Sequence, residues 1–361
     1  MKNEYKVGSI GTTRAIQIHP TRLCNLSCLH CYSSSSPKQR GALDVALLIR
    51  ALADAAEEGY NYVSISGGEP LLYPSLEILL EQAKLKGFAT AIATNGMFLD
   101  KKRVDQLKDV TDLIAVSLDG VPESHNRMRN SKQAFKKMAD NLKTVRASDI
   151  PFGFIFTLTQ YNLNELDWVV NFALQEGAQL LQIHPLENAG FASAHLMGDS
   201  PDRTESAYAY LLSETMQQNL EGRLRIQMDF ATRAAVLEHP GSVYAAGELP
   251  EFDASLADCI ASLAIEPDGM IVPVQYGFSR DYAIGNLHQS SFKQLADDWR
   301  KIHMVPFYGL CHEIHKTVTD KSQPFVFNWN EMITAASHQP LKKKWNALRP
   351  EQSLGSLNYS F

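Results

Sequence analysis

Three of the five cysteines, Cys24, Cys28 and Cys31, fall within eight residues in the segment CNLSCLHCY, a C-x3-C-x2-C spacing. Thiolates are soft ligands that suit iron–sulfur clusters or zinc. A four-iron cluster usually takes four cysteines, so three in one tight loop leave one iron open to a substrate or cofactor. Zinc is the competing metal, with His30 or His19 as fourth ligand, although zinc sites favour paired C-x2-C units. A third reading makes the cysteines unrelated core residues. The odd count makes a poor disulfide framework and a better metal framework in a reducing compartment.

The elements that position these cysteines alternate along the first half of the chain. Strands are expected at 15–19, 62–66, 88–94, 113–118, 152–158 and 180–185, short and apolar as if covered on both faces. Amphipathic helices are expected at 44–59, 76–86, 132–147 and 163–176. Strand–helix alternation predicts a parallel sheet with right-handed crossovers. Six such units are too few for a closed eight-stranded barrel. The fold class is therefore α/β, a partial (βα)6 TIM-like barrel with a small α+β C-terminal extension. The expected organisation is a core at 10–195, a helical or linker connection at 196–250, an extension at 251–335 and a polar tail at 336–361, the last poorly ordered. The segment 263–275 reads as a hairpin around Pro267-Asp268-Gly269, and 291–301 as a short helix.

A barrel-like α/β fold gathers its chemistry at the C-terminal ends of its strands, and polar or glycine residues stand at each of them. The cysteines follow the first strand and Gly67-Gly68-Glu69-Pro70 the second; glycines let the backbone approach a ligand closely. Thr94-Asn95-Gly96 follows the third, and Ser117-Leu118-Asp119-Gly120 the fourth, with Arg129 shortly after. An arginine there suits a carboxylate through charge-assisted bonds. Asn-Gly and Asp-Gly also form turns, so Thr94 and Asn95 are open to that role too. His184 and Glu187 follow the sixth strand and face a substrate in one reading and only the fold in the other.

Of the 361 residues, 45% are hydrophobic and 20% charged, and the net charge is −6. That balance argues against a general nucleic-acid binder, which wants a basic face. No apolar run has the length of a membrane span, and the N-terminus lacks a signal-peptide core, so a cytoplasmic protein is expected.

The cysteine triad with Asn25 and Tyr32, followed by Gly67-Gly68-Glu69-Pro70, resembles the radical S-adenosylmethionine (radical SAM) superfamily over about residues 14–190. The resemblance implies a [4Fe–4S] cluster on Cys24, Cys28 and Cys31. Its open iron would bind the amino and carboxylate groups of S-adenosylmethionine, and one electron would release a 5′-deoxyadenosyl radical that abstracts hydrogen from a substrate. It also implies that Gly67, Gly68, Glu69 and Pro70 contact the cofactor's amino group. Thr94, Asn95, Ser117, Asp119 and Arg129 would serve its ribose and carboxylate. Residues 259–300 resemble the SPASM and Twitch extensions, which carry auxiliary clusters. Val274 stands where those relatives usually have a cysteine, and only Cys259 and Cys311 remain downstream of the triad. A second cluster there is one reading; a lost cluster with both residues as buried thiols is the other.

Such extensions accompany enzymes that mature ribosomally made precursor peptides, and, in a second set, enzymes that modify or decarboxylate haem-type tetrapyrrole precursors. The peptide reading comes first. Only 23 residues precede Cys24, so a separate leader-recognition protein would present the peptide, and flavodoxin or ferredoxin would supply electrons. A reading from another class is a non-catalytic iron–sulfur or zinc-binding partner subunit; the intact glycine motif argues against it.

Overall fold

The computed structural model describes residues 13–246 and 249–339. Seven strands run in chain order, β1 (Ala15–Ile18), β2 (Tyr62–Ile65), β3 (Ala89–Thr94), β4 (Leu113–Ser117), β5 (Phe152–Leu158), β6 (Leu180–Pro185) and β7 (Arg225–Met228). Each pairs in parallel with the next. The expected partial barrel is therefore present, as an open sheet, and β7 adds a seventh parallel strand to the six expected. β8 (Ala231–Thr232) pairs instead with the distant β12 (Val326–Phe327).

The C-terminal hairpin joins this same sheet. β9 (Ser262–Ile265) lies parallel to β1, and β10 (Met270–Pro273) and β11 (Gly285–Asn286) follow antiparallel, giving ten strands in the order β11-β10-β9-β1-β2-β3-β4-β5-β6-β7. Buried polar contacts fasten the rest of the extension. Arg300, on the helix Phe292–Ile302, donates to Glu58 at the end of the first helix (2.7 Å), and Glu58 also accepts from the Leu256 amide (2.6 Å).

The strands are not covered alike on their two faces, contrary to the expectation from their apolar content. On one face Ile16, Ile18, Val63, Ile65, Ile92, Val116, Phe156 and Ile183 are fully buried in the core shared with the helices. Alternate positions on the other face carry Gln17, Ser64, Ala93, Ala115, Ser117, Thr157, Gln182 and His184, all half-buried. The pleat puts neighbours on opposite sides. The apolar set packs against helices such as Val45–Glu57, whose Leu48, Leu52 and Ala55 enter the same core. On the inner face these mostly small and polar side chains stay half-buried.

Helix ends follow local chemistry. Asp44 caps the first helix by accepting from the Leu47 amide (3.1 Å), and Asp202 and Glu205 form a reciprocal capping box at the start of Arg203–Asn219. Helices at Lys101–Leu107, Pro122–Met128, Met304–Thr319 and Trp329–Ser337 were not anticipated; the last runs into the segment expected to be a polar tail. The rest of that tail, residues 340–361, lies outside the described residues, as do the first twelve. Among the described residues no helix is long and apolar enough to cross a membrane.

Candidate functional site

The loop after β1 carries the three cysteines to the C-terminal mouth of the sheet, where backbone hydrogen bonds tie it to three neighbouring loops. The Gly68 and Glu69 amides donate to the Thr21 and Leu23 carbonyls (2.8 and 2.9 Å). The Leu29 amide donates to the Met128 carbonyl (2.9 Å), and the Phe191 amide to that of Cys31 (2.8 Å). The glycine motif is thus wedged directly against the cysteine loop. A Cβ on Gly68 would stand 2.1 Å from the Leu23 carbonyl oxygen, and one on Gly67 2.6 Å from that of Thr21. Gly190, which the sequence did not single out, does the same at the far end, 2.3 Å from the Tyr32 carbonyl oxygen. Its only sequence signal is a lone glycine in a loop after a strand.

Cys24, Leu26 and Cys28 pack together, with Cys31 and Met97 against them. Burial, with smaller contributions from Glu69 and the neighbouring thiols, pushes the Cys24 thiol up to about 12, and burial pushes Cys28 up to about 11. Three thiolates crowded in one loop need positive charge to form, and iron supplies it. The Leu26 and Ser35 amides already point at the sulfurs of Cys24 (3.4 Å) and Cys31 (3.3 Å), as donors to thiolates do. These residues fit a cluster bound through three cysteines. Among the described residues no three His, Cys, Asp or Glu side chains converge on one point as a single metal ion requires. A cluster asks instead for three thiols facing one space.

The other motif residues are brought together, and most are already engaged. Glu69 is buried and accepts from Thr94 Oγ1 (2.7 Å), the Asn95 amide (3.0 Å) and the Leu71 amide (3.2 Å). Burial raises its pKa while these donors pull the other way. Asn95 Nδ2 donates to Asn25 Oδ1 (2.8 Å), stitching the end of β3 to the cysteine loop. Asp119 is fully buried and held by Arg129, and Ser117 is half-buried at the end of β4. Pro70 opens a short 3-10 turn for which Glu69 is the cap.

Cys259 and Cys311 lie elsewhere. Both are fully buried in the apolar core of the extension, Cys259 with its sulfur 3.8 Å from that of Met304, and burial raises the pKa of both thiols.

A second polar group lines the mouth at the ends of β6 and β7. His184 pairs with Asp229 across the two strands, and Glu187 accepts from Gln275 Nε2 (3.0 Å). Gln275 follows Val274, whose φ of 67° is unusual for a β-branched residue. The turn is held by the Val274 amide on the Ser262 carbonyl and the Gln275 amide on that of Pro273, both 2.8 Å. The position that lacks the expected cysteine thus aims Gln275 across the mouth. Tyr276 beside it packs on His19 (ring centroids 4.7 Å apart) and accepts from Arg22.

Burial, and then the nearby Glu331, push Glu187 up to about 7 from an ordinary 4.5. An acid raised in the folded state stabilises the fold at low pH, and that contribution is lost as pH climbs from about 4.5 to about 7. Glu187→Gln is therefore expected to flatten the fall of Tm with pH across that window. Unchanged slopes in thermal scans of the two proteins would show that Glu187 titrates normally.

Residues 18–173 match the family model of the Radical SAM superfamily. The similarity to that superfamily is thus to its radical SAM domain, over the part of the chain that holds the cysteine loop and the glycine motif. The cofactors of that superfamily are a [4Fe–4S] cluster and S-adenosylmethionine. Among curated proteins, the chain is 26% identical over 289 residues to Fe-coproporphyrin III synthase of Methanosarcina barkeri, covering 77% of this chain and 72% of that one. It is also 26% identical over 256 residues to PqqA peptide cyclase of Ruegeria pomeroyi, covering 70% of this chain and 65% of the other. Among solved structures, SuiB of Streptococcus suis bound to S-adenosylmethionine aligns with a TM-score of 0.63 at 17% identity, over 83% of this chain and 68% of SuiB. That likeness carries the fold.

Proposed function

We propose that this chain is an enzyme holding one [4Fe–4S] cluster on Cys24, Cys28 and Cys31, and that it acts on a substrate seated in the open mouth of the barrel. The observation that carries the reading is the docking of the cysteine loop on the Gly67-Gly68-Glu69-Pro70 loop through the Gly68 and Glu69 amides. Cys24, Cys28 and Cys31 would hold the cluster, which would supply one-electron reduction of S-adenosylmethionine. The chain's own residues provide placement. Gly67 and Gly68 keep the two loops in contact, and Pro70 fixes the turn that follows. Glu69, Thr94 and Asn95 lock the ends of β2 and β3 to the cysteine loop. Ser117 serves the cofactor's carboxylate together with the positive charge of Arg129, which Asp119 orients and whose Nη1 lies 3.9 Å from the Cys28 sulfur. Cys259 and Cys311 carry no cluster.

For the substrate, a precursor peptide stands first, in keeping with the resemblance to PqqA peptide cyclase. Glu187, Glu331 and Asp229 put several carboxylates near the mouth against the single imidazole of His184. With Glu187 pushed up to about 7 and Asp229 paired with His184, that wall offers a peptide segment hydrogen-bonding partners and little net charge. A leader-recognition protein would present the peptide, and flavodoxin or ferredoxin would reduce the cluster. Haem-type tetrapyrrole precursors are the second reading, favoured by the resemblance to Fe-coproporphyrin III synthase.

Anaerobic iron and sulfide analysis with Mössbauer spectra tests the core of this reading. About four irons per chain are expected, all lost when Cys24, Cys28 and Cys31 become alanine together. Iron retained by the triple variant would mean that Cys259 and Cys311 help to hold a second cluster. Wild-type protein that takes up no iron would sink the proposal.

A further inference from the structure

Beside the cysteine loop lies a charged network with no evident task in folding. Asp119 is 0% exposed, and Arg129 is 8% exposed. The carboxylate grips the guanidinium twice, accepting from Nε (2.6 Å) and Nη2 (3.1 Å). His30 Nε2 and His125 Nδ1 stand 3.9 and 3.7 Å from its two oxygens. The Asp119 amide donates to His125 Nδ1 (3.2 Å), and Asn162 Nδ2 donates to the Asp119 carbonyl (3.1 Å). The third guanidinium nitrogen, Nη1, lies 3.9 Å from the sulfur of Cys28.

A buried ion pair is weak evidence for stability, because desolvating both ions offsets most of their attraction. An apolar pair would fill the same space. What the pair adds is a charge fixed in direction. Two parallel bonds hold the guanidinium plane and leave one N–H edge aimed at a single thiol. Hydrogen bonds to the ligand sulfurs and the charge around a cluster are the protein's levers on its reduction potential. Resting on the assignment of Cys28 as a cluster ligand, we propose that Asp119 is a positioning residue that holds the Arg129 guanidinium against the Cys28 sulfur, and that this pair sets the cluster's reduction potential.

The charges fix the signs. The reduced cluster carries one more negative charge than the oxidised one, so added positive charge nearby favours reduction. Asp119→Asn keeps the shape, removes the balancing negative charge, and should shift the potential to more positive values. Arg129→Gln removes the positive charge and the donor to sulfur and should shift it to more negative values. Arg129→Lys, which keeps the charge without the fork, should fall between Arg129→Gln and wild type.

The experiment is a potentiometric titration of the reconstituted full chain without S-adenosylmethionine, followed by the EPR signal of the reduced cluster, with iron measured in every sample. Opposite shifts in Asp119→Asn and Arg129→Gln at full iron content support the proposal. Equal potentials in all four proteins overturn it and leave the enzyme assignment standing. Should Asp119→Asn fail to hold iron, the two Arg129 variants decide: a lower potential in Gln than in Lys supports it, and equal values overturn it. Iron lost from all three variants also overturns it, assigning the pair to cluster retention. Wild-type protein without a cluster removes the assignment itself.

Discussion

Cys28→Ala is expected to abolish 5′-deoxyadenosine formation from S-adenosylmethionine while leaving the fold intact. Cys28 sits at the middle of the triad, 8% exposed, with its sulfur next to the Arg129 guanidinium. Removing an outer partner of a metal ligand typically costs about 10–100-fold in affinity or activity, and removing a ligand itself should cost more than about 100-fold. The substitution deletes one sulfur at the edge of a small cluster of side chains apart from the main core, so far-UV circular dichroism should not change. Activity within tenfold of wild type, measured by chromatography of the quenched reaction, would refute the ligand assignment.

Gly68→Ala is expected to have a comparable effect on activity by a purely steric route. The new Cβ would lie 2.1 Å from the Leu23 carbonyl oxygen, 2.6 Å from its carbon and 2.8 Å from the Arg22 carbonyl carbon. All three are backbone atoms, so no side chain can swing aside. Overpacking of this kind typically costs about 1–3 kcal/mol. Relief requires the two loops to part, breaking the bonds from the Gly68 and Glu69 amides to Thr21 and Leu23. Those bonds lie immediately before Cys24, so the thiols should lose their common face, and iron content and cofactor cleavage should fall together. Gly241→Ala is the control, because among the described residues its Cβ would meet only the Ala246 Cβ at 3.7 Å, an ordinary contact. Full iron and full cleavage in Gly68→Ala would show that the two loops can separate without cost.

Much of this protein was determined by its sequence alone. The six barrel strands, the β9–β10 hairpin and the main amphipathic helices lie where periodicity put them, because apolar repeats of two and near 3.6 are local properties of the chain. The C-x3-C-x2-C spacing and the glycine motif bring their chemistry with them, because each is a short segment following a strand. Tertiary structure decided what those residues touch. Glu69, Thr94 and Asn95 read as a set of cofactor contacts, and the fold adds that the buried Glu69 carboxylate takes two donors from the end of β3 and a third from the Leu71 amide. Asp119 and Arg129 are ten positions apart, and only the fold turns them into a clamp against Cys28. The apolar character of the strands hid a half-open inner face, because spacing shows alternation but not which side a helix covers. Gly190 gave no signal of its contact with the cysteine loop, since a close approach between segments more than 150 residues apart exists only once the sheet has brought their ends together.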